Sequence, residues 1–266
     1  MKGLTFDLEA RGPFDPDGMP LGDARKVWKA FRADRGFGTA DLLGDPDSNL
    51  KLGKDAVPTY GLSLSPADAS GFESCVWRTP GCTAACVLST SFRGKLDSVA
   101  TARAVKTQFL AEDPAAFVAI LGAEIRRAVA KHGNILIRLN VASDLRWEYI
   151  APSLFDIPGA SFYDYTKAPR KHRGMHPNYR LTFSVSERDR SVSEALTYLQ
   201  SGGTAAVVFD IRKGSALPET WNGFAVIDGD VTDARVFDPD GVVVGLRSKA
   251  DGRRDTTGFV KPGVAS

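Results

Sequence analysis

The stretch AAVVFD at 205–210 carries apolar, β-branched side chains at consecutive rather than alternate positions. Such a strand needs cover on both faces, which a sheet flanked by helices provides. NILIRLNVASD reads the same way, with a strand over about 135–141. Helical segments stand between these strands. One opens at Asp97 and runs to about Leu110. The next starts at Asp113-Pro114, an N-cap followed by a first-turn proline. It places Phe117, Ile120, Leu121, Ile125 and Val129 on one face and ends at Gly133, after Lys131 and His132. Further strands fall at TYGLSLSP, ASFYDYT and YRLTFSVS, and a helix covers about 192–200 before Gly202-Gly203 breaks it. Short strands are expected in FAVID, ARVF and VVVGL.

Strand, helix, strand in this order predicts an α/β fold with a mainly parallel sheet. Five or six such repeats make a partial or complete (β/α) barrel over residues 58–250. Residues 1–57 read as an irregular N-terminal arm. It holds one short helix in DARKVWKAFRAD, with Ala24, Val27, Trp28 and Phe31 at helical spacing, and a loop in GDPDSNLKLGKDAVP. Residues 251–266, including RRDTTGFVKPGVAS, read as a polar surface extension.

The 266 residues are 43% hydrophobic and 25% charged with a net charge of +2, too mild a balance to argue nucleic-acid binding by itself. No apolar run approaches the roughly 20 residues of a membrane span, and MKGLTFDLEARGPFDPDGMP lacks a signal peptide's apolar region. No membrane partner and a cytoplasmic location follow as expectations.

Polar groups gather just after the strands. Asp144 follows the 135–141 strand, Asp164 ends ASFY, Ser184, Ser186 and Glu187 end YRLTF, and Asp210 ends AAVVF. Parallel α/β folds bind ligands at the carboxyl ends of their strands. Asp144, Asp164 and Glu187 are therefore the candidate catalytic acids, against the plainer alternative that each caps the next helix. The segment KAPRKHRGMH brings Lys167, Arg170, Lys171, His172, Arg173 and His176 together. With Arg146 and Ser184, the cations Lys167, Arg170, Lys171 and Arg173 are candidate substrate-binding groups for a nucleotide or nucleic acid; the alternative is a solvated basic loop. Phe162, Tyr163, Tyr165 and Tyr179 are near enough to stack on bases, or belong to the core.

All three cysteines fall within one loop, SCVWRTPGCTAACVLSTSFRG, with the spacing C-x6-C-x3-C for Cys75, Cys82 and Cys86. Clustered thiols in a reducing compartment read as metal ligands. A structural zinc needs a fourth ligand, for which His172 or His176 is available. A [4Fe–4S] cluster on three thiolates leaves one iron open to a small molecule such as S-adenosylmethionine. Radical S-adenosylmethionine enzymes carry such a loop after the first barrel strand, with the spacing C-x3-C-x2-C, which this chain lacks. Buried apolar thiols are one further alternative, and a catalytic cysteine nucleophile, for which no histidine base stands nearby in sequence, is another.

The ordered set C-x5-GC-x3-C, FRG, RLNVASDLRWE, FYDYTK, PNYRLTFSVSE and LPETWNGFAVIDGDVTDARVFDPDGVVVGL resembles the gene-88-type proteins of mycobacteriophages over about residues 60–260. The resemblance implies a phage or prophage origin and a shared fold, and leaves the chemistry open. Its motifs take in Asp144, Asp164, Asp228, Asp230 and Asp238. The acidic VIDGDVTDARVFDPDG reads as a turn-rich hairpin, with oxygen ligation of a divalent cation as the alternative.

Three functions fit these residues. One is an iron–sulfur, radical-type enzyme modifying a nucleic acid or nucleotide. Another is a zinc-containing, nucleobase-exchanging enzyme similar in outline to tRNA-guanine transglycosylases, with Asp144 or Asp164 as nucleophile. Those enzymes hold zinc on a late C-x-C-x2-C motif and a distant His, from which this chain departs. The third is a non-enzymatic, zinc-bearing nucleic-acid-binding protein.

Overall fold

The computed structural model describes residues 4–5, 7–46, 57–86 and 96–263. The strands are β1 (Leu4–Thr5), β2 (Leu43–Gly44), β3 (Thr59–Leu62), β4 (Phe72–Glu73), β5 (Ile135–Arg138), β6 (Ala160–Thr166), β7 (Tyr179–Ser184), β8 (Thr204–Phe209), β9 (Thr220–Trp221), β10 (Phe224–Asp228) and β11 (Val243–Arg247). The helices are α1 (Leu8–Arg11), α2 (Leu21–Asp34), α3 (Pro80–Ala84), α4 (Asp97–Glu112), α5 (Pro114–His132), α6 (Trp147–Ile150) and α7 (Ser191–Gln200). Nine strands form one sheet in the order β2-β3-β5-β6-β7-β8-β11-β10-β9, and β1 pairs with β4 apart from it. Every pairing from β3 to β10 is parallel; β2 and β9 join antiparallel at the two edges.

The fold is therefore α/β with a mostly parallel sheet, as the alternation predicts. A complete barrel is not formed. The sheet ends in two-residue antiparallel strands, which leave two separate edges in place of a closing parallel pair.

The core lies largely where periodicity places it. In α5, Phe117, Ile120, Leu121 and Ile125 are buried and Val129 packs against them. Gly133 ends the helix at φ +79°, a conformation glycine adopts without a steric penalty. The N-terminal arm docks through α2, whose Ala24, Trp28 and Phe31 are buried in the same cluster. Trp28 stacks on Phe109 of α4 with 4.6 Å between ring centroids, and its indole N–H donates to the Ala40 carbonyl. Burying each such aromatic stabilises the arm by roughly 2 kcal/mol. A second cluster, with Phe183, Val207, Phe209 and Val243, fills the space beside α7.

Three local readings change. ARVF forms a 3-10 turn at Arg235–Phe237 in place of a strand. The acidic stretch is not a hairpin: β10 and β11 run parallel, and β11 inserts between β8 and β10. The C-terminal segment is no loose extension, because Lys261 bridges to Phe209 and Phe259 is buried. GDPDSNLKLGKDAVP lies mostly outside the described residues, as does Phe92-Arg93-Gly94 after the cysteines. Among the described residues no helix is long and apolar enough to cross a membrane.

Candidate functional site

A cavity of about 660 Å³ opens at the carboxyl ends of the parallel strands. Its wall takes Arg138 from β5, Tyr165 and Thr166 from β6, Ser184 from β7, Val208 from β8 and Arg247 from β11. The loops after these strands add Asp144, Lys167 and all three cysteines. Residues spread over the whole sheet thus meet at one place, as strand polarity demands.

The cysteine loop is held at its start and at the helix α3 that bears Cys82. At its start, Ser74 donates through its hydroxyl to the Ser65 carbonyl, and its own carbonyl accepts the Asp144 N–H at 2.8 Å. The Cys75 sulfur accepts the Ala67 N–H at 3.4 Å and lies 3.5 Å from the Ala142 carbonyl. Burial pushes the Cys75 thiol up to about 12, with the nearby charges of Asp144 and Cys82 adding to it against the Ala67 hydrogen bond. Cys82 sits in α3, where Thr79 caps the helix by accepting the Cys82 N–H at 3.2 Å. Glu187 then clamps this helix from the end of β7, accepting the Thr79 hydroxyl at 2.7 Å and the Gly81 N–H at 2.6 Å. Gly81 has no room for a side chain: a Cβ there would stand 2.7 Å from Phe259 Cβ and 2.9 Å from Glu187 Oε1. Among the described residues no three His, Cys, Asp or Glu side chains form a ready-made metal-holding group. His172 stacks on Trp77 at 4.8 Å and His176 faces Asp156 at 3.4 Å; neither lines the cavity.

The predicted acids take different places. Asp144 lines the cavity and accepts Arg173 Nη1 at 3.1 Å and the Lys167 N–H at 2.8 Å. Asp164 is fully buried behind the wall, accepting from Asn140 N (2.8 Å), Asn140 Nδ2 (3.2 Å) and the Tyr179 hydroxyl (2.8 Å). Burial raises its carboxyl to about 7, against the lowering charge of Arg138. Its geometry fixes the turn from Asn140 to Leu145 that presents Asp144. Glu187 grips the cysteine helix, as described above.

The basic loop divides. Lys167 turns into the cavity and donates to Ser184 Oγ at 3.0 Å. Arg170 and Lys171 are exposed. Arg173 is an internal strut with a side chain only 1% exposed, bound to Asp144, to both Glu148 oxygens (2.6 and 2.9 Å) and to Thr166. A solvated basic face is thus not what Arg173 belongs to. Two carboxylates and the hydroxyls of Thr166 and Tyr179 surround its guanidinium, which the loop's composition did not announce. Arg146 pairs with Glu9 and donates to the His172 carbonyl. Of the four aromatic candidates, Tyr165 alone lines the cavity; Phe162, Tyr163 and Tyr179 are buried.

Several cavity residues escape a reading of the sequence. Arg138 pairs with Asp233 at 2.5 Å, and its guanidinium lies over the Tyr165 ring. A lone cation ending the apolar run ILIR is the one signal that marks it. Asp228 and Asp230 are engaged by Arg247 (2.9 and 3.2 Å), and Asp230 also by Lys249, so ion pairs account for this acidic stretch. Phe259 and Val260 come from the C-terminal segment.

The family model for Gene product 88 matches residues 37–263, which include every residue of the cavity wall. The chain belongs to the Gene product 88 family. This bears out the resemblance to a phage gene-product family. The Gene product 88 match begins inside the N-terminal arm, after α2, and takes in the whole nine-stranded sheet. No curated protein and no solved structure matches the chain.

Proposed function

We propose that this Gene product 88 protein is an enzyme with its active site in the cavity, and that Cys75, Cys82 and Cys86 hold an iron–sulfur cluster there. The observation that carries the reading is the convergence of all three thiols on one cavity at the carboxyl ends of consecutive parallel strands. The strand order β3-β5-β6-β7-β8 follows the sequence, as in part of a (β/α) barrel. Three thiolates suit a [4Fe–4S] cluster with one iron left for S-adenosylmethionine. When bound, that pair supplies radical chemistry. A cavity of about 660 Å³ has room for a cofactor and a small substrate.

The chain's own residues have separate duties in this scheme. Cys75 must lose a proton on ligation, since the thiolate is the ligand. Glu187 and Thr79 hold Cys82 in place through α3. Among the described residues the thiols do not already form a metal-holding group, so Cys75, Cys82 and Cys86 would have to draw closer together to hold a cluster. Asp144, held by Arg173 and the Lys167 N–H, is the carboxylate placed to touch substrate. A nucleotide or a nucleotide of a nucleic acid is the proposed substrate, drawn by Lys167 and by the exposed Arg170 and Lys171 of the same loop.

A second reading rests on Asp144 lining the cavity: the thiols hold zinc and Asp144 is the nucleophile of a nucleobase exchange. One experiment separates the two. Anaerobically purified protein is assayed for iron, acid-labile sulfide and zinc, with its visible spectrum. Iron and sulfide in matching amounts, lost in Cys82→Ala, are expected. Stoichiometric zinc without iron or sulfide overturns the iron–sulfur reading, and an Asp144-dependent covalent adduct with nucleic acid would then support the second.

A further inference from the structure

Among the described residues five cations stand on the cavity wall: Arg78, Arg138, Lys167, Arg247 and Lys249. Four are matched by carboxylates. Arg78 pairs with Glu73 and Asp68, Arg138 with Asp233, Arg247 with Asp228 and Asp230, and Lys249 with Asp230. Lys167 differs. Its ammonium donates to the neutral Ser184 hydroxyl at 3.0 Å and faces the Phe259 ring at 5.4 Å. Among the described residues no carboxylate pairs with it. The carboxylates on the wall are already taken: Asp68 by Arg78, Asp233 by Arg138, and Asp144 by Arg173 and the Lys167 backbone N–H.

The Tyr165 hydroxyl and Arg138 Nε are closed off behind the wall, so the donors that face the cavity at this corner are Lys167 and Ser184. Ser184 stands beside Lys167 on β7, consistent with the register that pairs Tyr165 with Thr182.

We infer that this corner is an anion subsite that takes the phosphate group of a phosphorylated small-molecule substrate. A phosphate offers three or more acceptor oxygens, so it meets the Lys167 ammonium and the Ser184 hydroxyl at once and keeps oxygens for solvent. Lysine meets phosphate as a point charge and needs no forked geometry. A carboxylate carries one negative charge where a phosphate carries up to two, so the unmatched Lys167 favours the phosphate. The inference rests on the reading of the cavity as the substrate site, and is independent of which metal the thiols hold.

Calorimetric titration of the full chain with inorganic phosphate, pyrophosphate and acetate at matched ionic strength tests it. Saturable phosphate binding is expected, weakened at least tenfold by Lys167→Met, less by Lys167→Arg, and unaffected by Lys131→Met at the exposed end of α5, away from the cavity. Where Lys167→Met does not fold, Ser184→Ala is expected to weaken binding several-fold. Phosphate binding no stronger than chloride, acetate binding as tight as phosphate, or unchanged affinity in the folded Lys167 or Ser184 variants overturns the proposal. Binding that persists in protein purified without iron leaves the subsite standing and removes only the cluster; an iron–sulfur protein that ignores phosphate removes only the subsite.

Discussion

Glu187 reaches back across 106 residues to accept the Gly81 N–H at 2.6 Å. One carboxylate at the end of a central strand thereby sets the position of the short helix that bears Cys82. The bond is charge-assisted and its second oxygen holds the Thr79 cap, so the clamp is stronger than either contact alone.

Replacing Glu187 by Ala leaves both donors without this partner. A loss of roughly 1–3 kcal/mol is expected in chemical denaturation. The alkylation rate of Cys82 should rise more than that of Cys75, read by peptide mass spectrometry; equal changes at both thiols would argue against a local clamp.

Cys75 is the thiol that resists modification. Its folded value of about 12 lies above the ordinary thiol value. In metal-free protein its labelling by iodoacetamide should stay slow from about pH 7 to about pH 10, since the thiolate is the reacting form. The shift also gives a sign for stability. The unfolded thiol ionises first, so the contribution of Cys75 is whole below about pH 8.5 and is lost as pH rises towards about 12.

Asp164 and Glu124 give a second pH window. Burial raises each to about 7, in Glu124 against hydrogen bonds from the Leu43 and Leu42 N–H groups. The unfolded carboxyls ionise near pH 4 while the folded ones keep their protons to about 7. Stability contributed by these two groups therefore falls between about pH 4 and about pH 7 and is flat above. Thermal midpoints across this range should show the slope, and Asp164→Asn should flatten it; a variant with an unaltered slope would assign the effect elsewhere.

Arg173→Met removes the cation shared by Asp144 and Glu148. The Glu148 side chain is only 4% exposed and is left without a counter-charge. A destabilisation on the order of 3–5 kcal/mol follows. Lys171→Met, two residues away on the exposed side, should change stability by less than about 0.5 kcal/mol.

Much of this was written in local pattern. The apolar face of α5 and the first-turn proline Pro114 behind the Asp113 N-cap follow from local pattern alone, and both are found. The strand-end rule brought Cys75, Cys82, Cys86, Asp144, Lys167 and Ser184 to one cavity, because polarity in a parallel sheet is a chain-wide property. What depends on distant partners was hidden. Arg173 looks like any loop cation until Asp144 and Glu148 meet it. The place of β11 between β8 and β10 is decided by pairing across the sheet, which short apolar runs do not encode. Phe259 is one aromatic in a polar segment, and its burial depends on the bridge from Lys261 to Phe209.

That bridge has a consequence for how the protein is made. Lys261 accepts the Asp210 N–H at its carbonyl and donates its own N–H to Val208, which seats Phe259 and Val260 on the cavity wall. During synthesis the thiol loop leaves the ribosome long before this segment does. A nascent chain therefore presents its cysteines on an incomplete vessel, whose wall is finished only when Phe259 and Val260 dock.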